Sequence, residues 1–132
     1  MANIGQTVII RTDLFGDNVG LIAAQVAHIH AQLLYDVVAK RTDLGEKGKA
    51  NLAEWVIQPY IFVKQVPNLE ALEYFEAKAE GAGVATTSWS DTVYVNLSPT
   101  QQEAFADVKV GIALGPNDAD KIRTVVGDLP LL

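Results

Sequence analysis

The sequence contains no cysteine, which excludes disulfide bonds and metal sites built from thiolates. It also lacks a long hydrophobic run, since no segment approaches the roughly 18 apolar residues that a membrane-spanning helix needs. The N-terminal MANIGQTVII has neither the cationic segment nor the apolar core of a signal peptide. From these absences we expect a soluble, cytoplasmic protein with no membrane partner.

Basic residues are scarce as well. Lysine and arginine together number 10 against 16 aspartates and glutamates, which gives a net charge of −6 at pH 7. Because affinity for nucleic acid rests largely on cations that neutralise phosphates, the summed field of this chain opposes RNA binding. The densest basic stretch, residues 40–49, also contains acidic residues. This composition favours a solvated linker over an RNA-binding patch.

The residues that are present indicate one globular domain over positions 1–132. The chain is 49% hydrophobic and 20% charged, a composition typical of folded proteins, and its length is that of a single domain. No group of histidines has the spacing of metal ligands. We therefore expect no metal and no other cofactor.

Short runs of β-branched and apolar residues predict the strands. Thr7–Arg11 and Tyr60–Val66 are typical of buried strands. Val84–Ser88 and Val93–Leu97 are further extended segments, and a loop is expected over residues 98–103. Apolar residues alternate over Val108–Leu114, which predicts a last strand.

Helical spacing of apolar residues predicts the helices. The longest runs from Val19 to Lys40, with Gln25 and His28 on its more polar face. A polar loop over residues 42–50 precedes a short helix at Leu52–Val56. Asn68 is placed to cap the third helix.

Pro116 is expected to end the last strand, and the final helix follows it. Asn117 is placed to cap that helix, and Gly127 to follow it as the C′ residue. The alternation of strands and helices along the chain predicts an α/β layered fold with a largely parallel sheet. The predicted core consists of Val8, Ile10, Ile22, Val26, Ile29, Leu33, Ile61, Val63, Leu72, Phe75, Val110, Ile112, Ile122 and Val125.

Three blocks of sequence carry a resemblance to a known family. The C-terminal stretch Gly115–Leu132 is a Gly-Pro turn, a helix and a final Gly-x-Leu-x-Leu. Arg11–Leu14 is followed by Ala23–His28, and Gln58–Pro59 is followed by Ile61–Lys64. In residues, order and spacing these blocks resemble the type II peptidyl-tRNA hydrolases across nearly the whole chain.

The resemblance implies a fold and an activity. The expected fold is a single-domain α/β structure with a four-stranded mixed, mostly parallel sheet and helices on both faces. The expected activity is hydrolysis of the ester between a peptide and tRNA, or of a related acyl ester. Such a reaction needs a group that orients or deprotonates water and one that stabilises the oxyanion. The expected partners are tRNA or an acyl ester substrate, together with a second copy of the chain in a homodimer.

The first site loop of the family departs from its pattern in this chain. The family sequence Asp-Leu-Lys-Met-Gly-Lys-Gly-Lys corresponds here to Asp13–Leu21, which is one residue longer, and Phe15 stands at the first lysine. Gly16 and Gly20 still allow close approach to a ligand. The cation that would pair with a phosphate or oxyanion is missing, and Arg11 at the strand end is better explained as structural.

The second site segment is also altered. Ser90–Val95 corresponds to Gln-Asp-Ala-Gly-Arg-Thr, so Asp91 is kept, Tyr94 replaces the arginine and Val95 replaces the threonine. Val95 has no hydroxyl, and Thr92 is the residue that could substitute for it. Two interpretations of Asp91 stay open, a general base and a turn residue.

His28 matches the family histidine that follows Ala-Ala-Gln. A hydrogen-bonded structural role is favoured for it over proton transfer, and His30 is expected to be a core histidine. The catalytic candidates are therefore Asp91, Thr92 and His28. The residues expected to bind substrate, some of them by stacking on the terminal adenine, are Asp13, Phe15, Gly16, Gly20, Gln25, Trp89 and Tyr94.

Two functions stay open at this point. The chain is either a divergent hydrolase or a catalytically impaired relative that keeps the fold as a binding or interaction module. The replaced lysine, arginine and threonine favour the module, whereas Asp91, Gln25 and His28 favour the hydrolase. An assay on peptidyl-tRNA discriminates between them.

Overall fold

The computed structural model describes residues 4–15, 18–38, 45–57, 60–98 and 101–132, without the side chains of 36–38, 45, 47, 60, 93–98 and 101–103. Helices and strands alternate along most of the chain. In order, the elements are β1 (Ile4–Arg11), α1 (Val19–Val38), α2 (Gly45–Ile57), β2 (Tyr60–Val66), α3 (Leu69–Gly81), β3 (Thr86–Ser98), β4 (Gln101–Asp118) and α4 (Ala119–Val126).

The four strands form one mixed sheet in the order β2-β1-β4-β3. β1 and β2 are parallel, whereas β1 with β4 and β3 with β4 are antiparallel. The predicted α/β fold with a four-stranded mixed sheet is confirmed, but the prediction of a mostly parallel sheet is wrong. β3 ends at Ser98 and β4 begins at Gln101, a connection that only a hairpin allows, because parallel strands need a crossover of about a dozen residues.

The core consists of two apolar clusters. Ile9 of β1 belongs to the cluster that α3 and α4 share with the sheet, whereas Val8 and Ile10 belong to the cluster that α1 shares. Consecutive strand residues point to opposite faces of a sheet. The functional residues of α1 are therefore to be sought against the face that carries Val8 and Ile10.

Most of the predicted core is confirmed. Ile61, however, is 40% exposed, so its placement in the core is wrong. It lies on β2, an edge strand of the sheet, where covering elements are fewer. Three predicted members are half-buried, namely Val26, Val63 and Phe75. The buried members are Val8, Ile10, Ile22, Ile29, Leu33, Leu72, Val110, Ile112, Ile122 and Val125.

Several element boundaries differ from the prediction. α2 already begins at Gly45, inside the expected loop, and it buries Asn51 and Trp55 on one face. β4 begins inside the other expected loop and runs past Pro116 to Asp118, because its end pairs with the start of β1. In both places pairing or packing partners that are distant in sequence outweigh the local composition.

The helix caps agree with the prediction in one of three places. Asn68 caps α3, since its side chain accepts a hydrogen bond from the backbone N–H of Ala71 at 2.9 Å. The cap of α4 is Asp118 and not Asn117, since the Asp118 carboxylate accepts hydrogen bonds from the backbone N–H groups of Asp120 and Lys121. Gly127 is the C-cap residue of α4, with right-handed helical angles, and not its C′ residue.

Gly111 of β4 leaves no room for a side chain between β1 and α1. A Cβ atom at this position would lie 2.5 Å from the carbonyl oxygen of Ile9 and 2.7 Å from Cδ1 of Ile29. Both distances are far below van der Waals contact, so only glycine fits here.

Candidate active site

The side chain of Gln25 joins α1 to β3. Its Oε1 accepts a hydrogen bond from Nε1 of Trp89 at 2.8 Å, and its Nε2 donates to Oδ2 of Asp91 at 3.1 Å. Gln25 is only 4% exposed, whereas Trp89 and Asp91 are half-buried. A buried amide thus bridges two partly accessible residues of one strand. Gln25 was expected to bind substrate, but its polar atoms are used within the protein.

Asp91 lies in a strand, at a break in the pairing of β3 with β4. Asp91 pairs with Val108, and the next pair joins Val93 to Phe105, so Thr92 is skipped. The second oxygen of Asp91, Oδ1, accepts a hydrogen bond from the backbone N–H of Thr92 at 2.8 Å. Both oxygens of the carboxylate are therefore held by N–H donors. Of the two interpretations of Asp91, the turn residue does not describe the structure, since Asp91 lies within β3. The break in pairing is a strand irregularity, and such irregularities change the direction in which side chains point.

His28 lies one turn after Gln25 on α1 and is exposed. Its ring makes an edge-on contact with Trp89, with 5.2 Å between the ring centroids and an interplanar angle of 68°. Trp89 thus contacts both polar residues of this helix face. The structure thus connects three side chains of the predicted site to Trp89: His28 and Gln25 contact the indole ring directly, and Asp91 is linked to it through Gln25.

The described part of the loop after β1 includes one buried aromatic ring and one exposed carboxylate. Phe15, which was expected to contact substrate, is 8% exposed and packs against core residues that include Ile22. This expectation is corrected, because an aromatic ring next to a helix gains more from burial than from exposure. Asp13 is exposed and accepts two hydrogen bonds from Arg11 at 3.1 and 2.8 Å.

Arg11 is also bound to the backbone, since its Nη1 donates to the carbonyl oxygen of Lys109 at 3.0 Å. Lys109 itself forms an ion pair of 2.5 Å with Glu76 of α3. These cations are therefore engaged in structural contacts. The partners of Asp91 that the structure describes, the Gln25 amide and the Thr92 N–H, are both uncharged.

Three further positions complete the predicted set: Gly16, Gly20 and Tyr94. Gly20 is exposed in the first turn of α1, whereas Gly16 lies outside the described residues. The backbone of Tyr94 belongs to β3, but its side chain lies outside the described part of the chain. Sequence reasoning missed Asn18, whose Oδ1 accepts a hydrogen bond from the N–H of Leu21 at 3.0 Å. An asparagine just before a helical run is the signal that could have found it.

His30 faces a different environment from His28. Its Nδ1 is 2.9 Å from Oε1 of Gln6, and its ring centroid is 5.4 Å from that of Trp55. Burial lowers the pKa of His30 below its ordinary value of 6.5. His30 is therefore hydrogen-bonded as expected, but it is half-buried, so the prediction of a core histidine is met only in part.

A separate cavity lies between α4 and the first two strands. Its volume is about 250 Å³, and its walls include Thr7, Phe62, Lys64 and Arg123 but none of the residues around Asp91. Within the described residues, no cluster of histidines and carboxylates could hold a metal ion. No helix in this part of the chain is long and apolar enough to cross a membrane.

The chain is similar to archaeal proteins over most of its length. It is 36% identical to a peptidyl-tRNA hydrolase of Sulfolobus acidocaldarius, with 95% of this chain and 97% of that protein covered. It is 34% identical to one of Sulfurisphaera tokodaii, with 95% of each covered, and 35% identical to one of Metallosphaera sedula, with 95% and 97% covered. Residues 4–132 also match the family described as peptidyl-tRNA hydrolase PTH2.

Proposed function

The chain belongs to the peptidyl-tRNA hydrolase PTH2 family, and from this premise we propose that it hydrolyses the ester between a peptide and the 3′ end of tRNA. The observation that carries the proposal is the carboxylate of Asp91. It is half-buried, and both of its oxygens accept hydrogen bonds from uncharged donors. A carboxylate held in this way keeps lone pairs for a water molecule while its orientation is fixed.

The proposed reaction begins when Asp91 takes a proton from water as the water oxygen attacks the ester carbonyl carbon. The tetrahedral intermediate then releases the 3′ oxygen of tRNA, which takes up a proton, and leaves the peptide with a free carboxylate. We assign the proton donation to His28, which lies beside Trp89, and the orientation of water to the hydroxyl of Thr92. General acid–base groups of this kind contribute roughly 100- to 10,000-fold each.

The substrate-binding surface is proposed to surround this carboxylate. Trp89 is half-buried, so its exposed part is available to the terminal adenosine, together with Tyr94 of the same strand. Gly20 and Asp13 border the site at the start of α1 and the end of β1. The family resemblance further supports a cytoplasmic location and a homodimer. Sedimentation of the purified protein tests the homodimer.

The experiment that tests the proposal is turnover of peptidyl-tRNA by the purified protein and by Asp91→Asn. This change keeps the shape of the side chain and removes its ability to take a proton, so a fall of at least about 100-fold is expected. The matched control is Asp120→Asn, an exposed aspartate on α4 that pairs only with Arg123 among the described residues. The control should retain full turnover.

Two outcomes would contradict the proposal. If the wild-type protein shows no turnover above a blank, the chain acts as the catalytically impaired binding module. If Asp91→Asn is as active as the wild type, another group takes the proton and the assignment of the base is wrong.

A further inference from the structure

Trp89 has a contact that its expected stacking role does not explain. Its Nε1 donates a hydrogen bond of 2.8 Å to Oε1 of Gln25, while the edge of the ring system meets His28. An indole N–H can donate a hydrogen bond but cannot accept one. The atom of Gln25 that faces Trp89 must therefore be the amide oxygen.

This polarity fixes what Gln25 offers to Asp91. Once the amide oxygen points to Trp89, the amide nitrogen points to Oδ2 of Asp91, as the 3.1 Å contact shows. The other carboxylate oxygen already accepts from the N–H of Thr92. Both oxygens are then held as acceptors, which is the state that a general base needs. Without the indole, the Gln25 amide could rotate and turn its oxygen toward the carboxylate.

We propose that Trp89 is a positioning residue that acts through Gln25: its indole N–H fixes the amide, and the amide fixes the Asp91 carboxylate. The inference rests on the proposed hydrolase function for its effect on turnover. It rests on geometry alone for the arrangement of the three side chains. Gln25 is 4% exposed, so water competes weakly for these hydrogen bonds and each contributes more than at the surface.

The decisive variant is Trp89→Phe, which keeps an aromatic ring and removes the N–H. We expect kcat to fall about 3- to 10-fold, the effect of losing one hydrogen bond, while KM stays unchanged. A rise in KM with an unchanged kcat would overturn the proposal, because it would mean that Trp89 serves only as a stacking surface for the substrate.

A double-mutant cycle tests whether Trp89 acts through Gln25. In a Gln25→Leu background the indole has no amide to fix, so Trp89→Phe should cause no further loss of kcat. Equal losses in both backgrounds would overturn the proposal. Gln25→Glu gives a second test, since it keeps an acceptor for the indole but removes the donor to Asp91. It should lower kcat at least as much as Gln25→Leu.

A spectroscopic readout keeps this test separate from the proposed function. The chain contains 2 tryptophans, so two indole N–H signals are expected in a proton–nitrogen spectrum. Gln25→Leu should shift the signal of Trp89 and leave that of Trp55, whose ring contacts His30. If neither signal shifts, the hydrogen bond does not exist and the proposal fails even in an active enzyme. A shift without any turnover would uphold the arrangement and reject only the hydrolase function.

Discussion

Replacing Gly111 by alanine adds a methyl group at a point where β4 lies tightly against β1 and α1. The added Cβ would lie 2.5 Å from the backbone oxygen of Ile9, 2.7 Å from Cδ1 of Ile29 and 3.0 Å from Cδ1 of Ile10. The two side chains can rotate away, but the backbone oxygen belongs to the central strand β1 and is hydrogen-bonded within the sheet. The helix or the strand must therefore shift.

The expected cost follows from this crowding. Overpacking of a well-packed core destabilises by about 1–3 kcal/mol, so Gly111→Ala should lower the free energy of unfolding by that amount. For a chain of this length the melting temperature should fall by roughly 4 °C for each kcal/mol. Because Gly111 pairs with Trp89 of β3, a shift of β4 should also disturb the contacts of Trp89 and Gln25 and reduce turnover in the folded protein.

Chemical denaturation measures this effect, with Gly81→Ala as the matched control. A Cβ at Gly81, the last residue of α3, meets nothing within 4 Å, so this variant should be neutral or more stable. Combining Gly111→Ala with Ile29→Val should recover only part of the loss, because the clash with the Ile9 oxygen remains. Unchanged stability of Gly111→Ala would refute the reasoning, since it would mean that β4 and β1 can move apart at no cost.

Three further predictions concern stability, capping and rate. Burial lowers the pKa of His30, so this side chain binds a proton more readily in the unfolded chain than in the folded one. The free energy of unfolding should therefore decrease as the pH falls through about 6.5. Denaturation at several pH values measures this decrease, which should be smaller in His30→Gln. Asn68→Ala and Asp118→Ala should each cost about 1 kcal/mol in the same assay, because each removes a helix cap. Turnover of peptidyl-tRNA should be weaker than that of a typical family member by about 100-fold or more, and it should fall further as the salt concentration rises. Val95→Thr should recover part of the lost turnover. A wild-type rate equal to that of a typical family member would contradict this prediction.

The sequence predicted those parts of the fold that depend on neighbouring residues. The spacing along α1 placed Ile22, Ile29 and Leu33 inside, and Asn68 was recognised as a cap from its position alone. The prediction failed where pairing between residues that are distant in sequence decides where a strand ends. The end of β4 pairs with the start of β1, so the strand continues through Pro116. No local pattern contains that information.

The candidate site, too, could be predicted from the sequence only in part. Family resemblance brought Gln25, His28 and Asp91 into one set, and in the structure Gln25 contacts both Trp89 and Asp91 while His28 contacts Trp89. Phe15 could not be placed correctly, because the sequence shows only that it replaces a lysine and not that the loop turns its ring into the core. For the same reason Phe15→Lys would bury a charge, and it is a poor way to restore the missing cation.

The most direct test of the hydrolase assignment is the fate of the oxygen atom of water. Peptidyl-tRNA is incubated in water enriched in heavy oxygen with the wild-type protein or with Asp91→Asn, and the released peptide is analysed by mass spectrometry. We predict that the wild-type protein releases peptide with one heavy oxygen in its carboxylate, together with unlabelled tRNA, and that Asp91→Asn releases at least about 100-fold less. Release of no peptide, or of peptide without the label, would contradict hydrolysis of the ester by water activated at Asp91.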